Sequence, residues 1–388
     1  MLLPLHAFHQ NRGAQFTFVN GAEVVADYGD PMAEHHALRE TAGVLDLSFR
    51  GRLCLLGSDR VRFLHGQVTN DVKRLGVGQG CYAALVTAKG KMESDLNIFC
   101  LPDELLLDFE PGLRQAITQS LEKYIVADDV QVVDVAPHYG LLSVQGPKAM
   151  AVIQSLVWFK ELPGSPLSFV KFTDAALGEI YLVNQPRLAG SACIPLASSP
   201  KADDAKRREN AGVPSMAGFD LFVPFSGLGI IAEKLVAAVL LVGGRPCGWT
   251  AFETARVEAG IPRFGQDMDE SNLPLECGIE ARAISYRKGC YIGQEVINRI
   301  HSLGHVNRAL HGLRLADDLA ALPAKGDKLF KDGKEVGYIT SAVASPTVRA
   351  IIALGYVRRE AGVAGAELIL RTGESESVAK VVELPFVD

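Results

Sequence analysis

Near residue 306 the 388-residue chain changes character. Beyond that point it is a series of short strand-like runs: Leu310–Leu315, Glu335–Thr340, Ile351–Val357, Glu367–Leu370 and Val378–Leu384. Turn signals such as Lys331-Asp332-Gly333 separate them. This spacing predicts a separate small all-β domain over residues 306–388, a barrel or a sandwich, behind a larger region over residues 1–305.

In that larger region strands and helices interleave. Glu34–Gly43 is expected to be a short helix stopped by Gly43. Arg52–Leu56 is expected to be a strand, followed by a helix that carries Val61, Phe63 and Leu64 and is capped by Ser58 or Asp59. Cys81–Thr87, Leu96–Leu101, Glu104–Phe109, Val130–Val135 and Leu141–Val144 are strand-like. Pro111 opens an amphipathic helix to Tyr124, with Leu113, Ile117 and Leu121 on one stripe, and Pro147 begins another with Met150, Val152 and Ile153. No helix is preceded by a glycine-rich phosphate loop, which argues against a dinucleotide or P-loop enzyme. The polar stretch from Pro200 to Pro214 is expected to be an exposed loop.

The net charge of -6 argues against a nucleic-acid partner. The apolar run Ile230–Val242 is too short for a membrane and is broken by Glu233 and Lys234, so a buried helix is expected and no membrane partner. Seven scattered cysteines without a C-x-x-C spacing, and no secretory leader, point to reduced thiols and a cytoplasmic location. They form no recognisable metal quartet.

Three polar segments could carry chemistry. The first is Phe63-Leu64-His65-Gly66-Gln67-Val68-Thr69-Asn70-Asp71, either a capped turn or one wall of a ligand pocket; the capped turn is the commoner outcome. The second is Lys89-Gly90-Lys91-Met92-Glu93-Ser94-Asp95, either a solvated hairpin or a place where a buried acid handles a proton. The third runs from Arg287 to Arg299. There Cys290 precedes a short helix bearing Val296, Ile297 and Ile300, with Arg287 and Lys288 beside it, two reasons for a reactive thiol. A lone cysteine is as often a small buried hydrophobe.

Lys288-Gly-Cys-Tyr-Ile-Gly-Gln-Glu295 resembles the K-G-C-Y-x-G-Q-E motif of the YgfZ family, folate-binding proteins linked to the assembly or repair of iron–sulfur enzymes. Phe63 to Asp71 resembles the same family's F-L-x-G-Q-x-T-N-D segment. The wider chain is similar to glycine cleavage T proteins: Glu34-His35 through Asp46-Leu-Ser48, Arg256-Val-Glu-Ala-Gly-Ile-Pro262, Gly265 to Asp269, Pro274 to Glu276, and Val336 to Pro346.

The resemblance implies an α+β fold, a three-lobed ring of two interleaved α+β subdomains plus a C-terminal β-barrel, with tetrahydrofolate in a central channel. It makes Cys290, Asp95 and Lys288 the candidate catalytic residues. Arg256, Asn70, Asp95, Tyr82 and Gln294 become the candidate folate-binding residues. Asp95 falls in the acidic turn that faces the folate amine, and iron–sulfur clients or assembly proteins are the implied partners. Two departures stand out. The acidic turn G-G-x-x-D-D-L is Gly90-Lys91-Met92-Glu93-Ser94-Asp95-Leu96 here, and Met216 replaces a glutamate that holds the pterin. The cysteine motif and the missing glutamate favour a folate-dependent iron–sulfur accessory factor. Aminomethyl transfer to tetrahydrofolate, and a non-catalytic folate scaffold, are the alternatives.

Overall fold

The computed structural model describes residues 2–188, 217–316, 319, 321–373 and 375–387. Met216, Cys193 and the polar stretch from Pro200 to Pro214 lie outside the described residues.

The fold is α+β with two large sheets and a barrel. A five-stranded sheet takes the order Gln79–Val86, Met92–Cys100, Leu105–Phe109, Gly51–Leu56, Gln131–Asp134. A six-stranded sheet takes the order Phe169–Asp174, Gly178–Asn184, Gly218–Pro224, Tyr139–Gln145, Gly43–Asp46, Arg245–Pro246. The two are interleaved in sequence. Gly43–Asp46 pairs with Tyr139–Gln145 across an excursion that contains the entire five-stranded sheet. Each sheet has its own apolar core, one around Leu53, Phe63, Leu85, Ile98 and Phe109, the other around Val144, Leu182, Leu221 and Ile231.

The C-terminal strands close into a six-stranded barrel, in the order Arg308–Leu315, Ala350–Arg358, Lys334–Ser345, Lys328–Lys331, Glu367–Thr372, Ser375–Val382. Closure removes both sheet edges. The Lys331-Asp332-Gly333 signal is a tight hairpin, with positive φ at both Asp332 and Gly333.

The helices differ from expectation mainly at their ends. The first long one is Pro31–Glu40, started by Pro31 and capped by the Asp30 side chain on the Ala33 N–H. Asp59 precedes the helix Arg60–Gln67 without capping it, because its carboxylate accepts from the Asp129 N–H instead. Pro111 does not open a helix. Gly112 takes a φ of 85°, and the helix is Arg114–Glu122, with Ile117 and Leu121 buried and Tyr124 exposed beyond its end. Phe225–Leu241 is a core helix that buries Leu228, Ile231, Leu235 and Val239. Among the described residues no helix is long and apolar enough to cross a membrane.

One helix, Trp249–Glu258, joins the lobes through charged groups. Glu258 accepts from His35 Nε2 at 2.9 Å, Arg39 Nε at 2.8 Å and the Ser345 hydroxyl at 2.5 Å. It thereby ties the Pro31–Glu40 helix to a barrel strand. Arg256 donates to Asp267 and to the Ser341 hydroxyl, and Asp267 accepts in turn from Thr340. Burial raises the Glu258 carboxyl, but His35, Arg39 and Ser345 outweigh it and hold it down at about 2.

Candidate functional site

The three polar segments, far apart in sequence, converge. Lys288 is buried and donates to the backbone carbonyls of His65 (2.5 Å), Val68 (2.6 Å) and Asn70 (2.9 Å). Thr69 donates to the Ala283 carbonyl, and the Ser285 and Ile292 N–H groups donate to Thr69 and Gly66. Gly293, with a φ of 81°, lies so close to the 87–91 hairpin that a Cβ there would sit 2.6 Å from the Thr87 oxygen. Only glycine fits that position.

Lys288, expected among the catalytic residues, is placed by the structure in a buried clamp on the first segment. Its N–H groups are turned onto three carbonyls and its ammonium lies 4.8 Å from the Tyr291 ring centre. Burial pushes its pKa down to about 8, against the pull of Asp71. Lys288→Met removes the donors of three carbonyls, and we expect a loss on the order of 3 kcal/mol, read as a lower urea midpoint. Lost turnover without lost stability would instead make Lys288 catalytic. Cys290 is exposed at the tip of this turn. Gln294 opens the helix Gln294–Leu303, and its side-chain amide bonds back to the Gly289 carbonyl at 3.4 Å.

The cleft lies elsewhere, where the five-stranded sheet, the strand ends of the six-stranded sheet and the Trp249–Glu258 helix meet. It measures about 420 Å³, and its lining includes Asn70, Tyr82, Asp95 and Arg256. Cys290, Lys288 and Gln294 are not part of that lining.

Asp95 is on the strand Met92–Cys100 rather than in the turn. Strand alternation buries Met92, Ser94 and Leu96 on one face and leaves Asp95 on the other. Tyr82, its diagonal neighbour on the adjacent strand, donates its hydroxyl to Asp95 Oδ2 at 2.9 Å, while Oδ1 is shielded from solvent and has no partner. Burial, with the negative charge of Glu110 nearby, pushes the Asp95 carboxyl up to about 6, against Tyr82 and Arg50. The hairpin is therefore not the solvated turn its charges suggest. Asn70 spends its amide on the Tyr82 and Arg282 carbonyls, at 2.8 and 2.9 Å, so the first segment is both a fixed turn and part of the wall. Arg256 lines the cleft, yet both of its terminal nitrogens are engaged by protein groups and only Nε is free.

Several wall residues escaped the sequence reading. Arg50 grips Asp108 with two bonds, at 2.8 and 3.0 Å, and also donates to Glu110. Arg187 grips Asp220 and reaches Asp108 at 3.3 Å. Burial raises Asp108, but Arg50 and Arg187 outweigh it and hold the carboxyl at about 2. Arg282 lies 5.0 Å from the Tyr82 ring centre and its Nε has no partner. A larger groove of about 860 Å³ runs along the barrel past Arg308, Tyr338 and Arg358. None of its lining atoms is a buried polar group lacking a partner, whereas the Asp95 cleft has several.

The family described as GCVT N-terminal domain matches residues 5–185, and the glycine cleavage T-protein C-terminal barrel domain matches residues 308–388. The chain is similar along nearly its full length to curated aminomethyltransferases. The protein from Shouchella clausii is 29% identical, over 99% of this chain and 96% of its own. That from Thermosynechococcus vestitus is also 29% identical, over 99% and 94%. The glycine cleavage system aminomethyltransferase T from Bartonella henselae has a similar fold, with a TM-score of 0.81 at 23% identity, covering 100% of this chain and 98% of that one. The names of these relatives favour the transferase alternative over the iron–sulfur reading.

Proposed function

Because the chain belongs to the glycine cleavage T-protein superfamily, we propose that its cleft binds tetrahydrofolate and that Asp95 serves one-carbon transfer of the aminomethyltransferase kind. The observation that carries this reading is a half-buried carboxyl in the wall of a cleft of about 420 Å³, raised to a pKa of about 6 and with no hydrogen-bond partner on Oδ1.

The residues present fit the ligand. The volume suits a small-molecule site, unpartnered polar atoms on Asp95 and Arg282 await complementary groups, and Arg282 offers a cation to an anionic tail. When bound, tetrahydrofolate supplies the amine nitrogens that accept a one-carbon unit. Asp95, with a pKa of about 6, can take or return a proton at such a nitrogen, or balance positive charge on it. Tyr82 fixes the carboxyl through Oδ2 and leaves Oδ1 to the ligand. Arg50 and Arg187 of the wall are paired with Asp108 and Asp220 behind it, so they hold the shape of the site rather than compete for the ligand.

The test is a calorimetric titration of the purified protein with tetrahydrofolate, followed by an assay of one-carbon transfer from an aminomethyl donor. Saturable one-site binding with turnover is the expected result. Absence of binding at high ligand concentration would remove the folate reading altogether.

A second reading is favoured by one observation: Cys290 is exposed on a turn that Lys288 anchors, outside the cleft. It is a folate-binding YgfZ-type factor that supports iron–sulfur proteins through that thiol. Under it, saturable binding comes without transfer, and Cys290→Ala abolishes support of iron–sulfur enzyme activity in a complementing cell while folate affinity is kept. Full complementation by the alanine variant would eliminate it.

A further inference from the structure

A smaller cavity, apart from the cleft, lies where the faces of the two large sheets meet. It measures about 70 Å³ and shares no lining residue with the Asp95 cleft. Phe99 and Leu106 of the five-stranded sheet, with Val183 and Phe222 of the six-stranded sheet, form its apolar walls. Glu104, Tyr139 and Tyr181 stand at its outer side, half-buried, whereas Arg52 lines it with no exposed surface.

Arg52 is the largest of the fully buried side chains, and it is a cation without a counter-charge. Its Nη2 donates to the carbonyls of Ser48 (3.1 Å), Ala136 (3.4 Å) and Tyr139 (2.7 Å). Nε and Nη1 have no partner, and among the described residues the guanidinium forms no ion pair. The acids around it are committed elsewhere. Asp108, opposite Arg52 across the strand pair, accepts from Arg50, Arg187 and Asn97. Asp46 accepts from His9 and the Ser48 N–H, and Asp134 from Arg114 and the Ala136 N–H. Burial, against the pull of Asp108, lowers the Arg52 pKa only to about 10, so the side chain is charged at neutral pH. A buried charge with idle N–H groups costs free energy that an anion recovers.

We infer that this cavity is a binding site for a small monocarboxylate, held by the Arg52 guanidinium with its short apolar body against Phe99, Leu106 and Phe222. The volume, roughly that of two molecules of liquid water, admits formate or acetate and excludes a longer chain. A carboxylate takes up the idle N–H groups as charge-assisted bonds, strengthened by the apolar walls. A second negative charge would lie unbalanced beside Glu104, so sulfate is rejected.

The test is saturation-transfer NMR on the methyl protons of acetate, with the full-length protein unaltered, as Arg52→Met and as Leu106→Phe. The native protein is expected to bind acetate saturably, with a Kd of about 1 mM. Sulfate and butyrate in excess are expected not to displace it. Arg52→Met is expected to weaken acetate roughly tenfold or more, through loss of a bond to a charged group. Leu106→Phe fills the cavity and leaves the cation in place, and is expected to abolish binding. Tetrahydrofolate is expected to leave the acetate signal unchanged, because the two ligands would occupy different cavities. Unsaturable transfer, displacement by sulfate or tetrahydrofolate, or folded variants that bind acetate as the native protein does would each overturn the assignment. Should one variant fail to fold, the other variant and the competition on the native protein still decide.

Discussion

Glu258→Ala is expected to lower stability by on the order of 4 kcal/mol and to loosen the barrel from the rest of the chain. The carboxylate has no exposed surface and receives bonds from His35, Arg39 and Ser345. Removing one member of a buried ion network leaves the remaining charge and donors without partners, which costs about 3–5 kcal/mol. A urea midpoint far below that of the native protein, together with faster proteolysis between the lobes, would report it. The native protein should also carry an acid signature. The Glu258 carboxyl is held at about 2 in the fold against an ordinary 4.5, so its contribution is complete above pH 4.5 and is lost as the pH falls toward 2. Two and a half pH units correspond to about 3 kcal/mol. The alanine variant should lack that part of the acid sensitivity. A variant as stable as the native protein at pH 7 would mean that the lobes are joined by other contacts.

Asp95→Asn is expected to act in opposite directions on stability and on chemistry. The folded pKa of about 6 lies above the ordinary 3.8, so the ionised form is disfavoured by folding. Between these values the folded protein binds more protons than the unfolded chain, and native stability falls as the pH rises from about 4 to about 6. Asparagine removes that liability. The variant should match the native protein near pH 4 and exceed it above pH 6, by on the order of 2–3 kcal/mol. One-carbon transfer should fall by roughly 10²-fold or more, since the amide cannot exchange a proton. Unchanged transfer would take Asp95 out of the proposed chemistry. A binding-only protein would show the stability gain with a modest change in folate affinity.

The barrel was legible because its strands announce themselves locally, as apolar runs between turn residues such as Lys331-Asp332-Gly333. So was the core helix around Ile230, whose charged breaks excluded a membrane span. Asn70, Tyr82, Asp95 and Arg256 reached the wall of the cleft through the family resemblance, and composition alone would have left the Asp95 hairpin in solvent. What stayed hidden depends on pairing over long separations. Arg50 meets Glu110 across 60 positions and Lys288 meets His65 across 223, and no local pattern records either. Glu110 was hidden in particular by Pro111, which has the look of a helix start. The cation beside Cys290 in the sequence is turned inward in space, a direction that closeness along the chain does not record.

The interleaving of the two sheets also sets an order of assembly during synthesis. All five strands of one sheet lie between Gly51 and Asp134, so that lobe can form its core as soon as its own residues have emerged. Its host cannot. The strand Gly43–Asp46 is made earlier but waits for Tyr139–Gln145 on one side and for Arg245–Pro246 on the other. The first-made strand of the larger sheet is thus among the last to be enclosed, and the early lobe is finished while the chain around it is still growing.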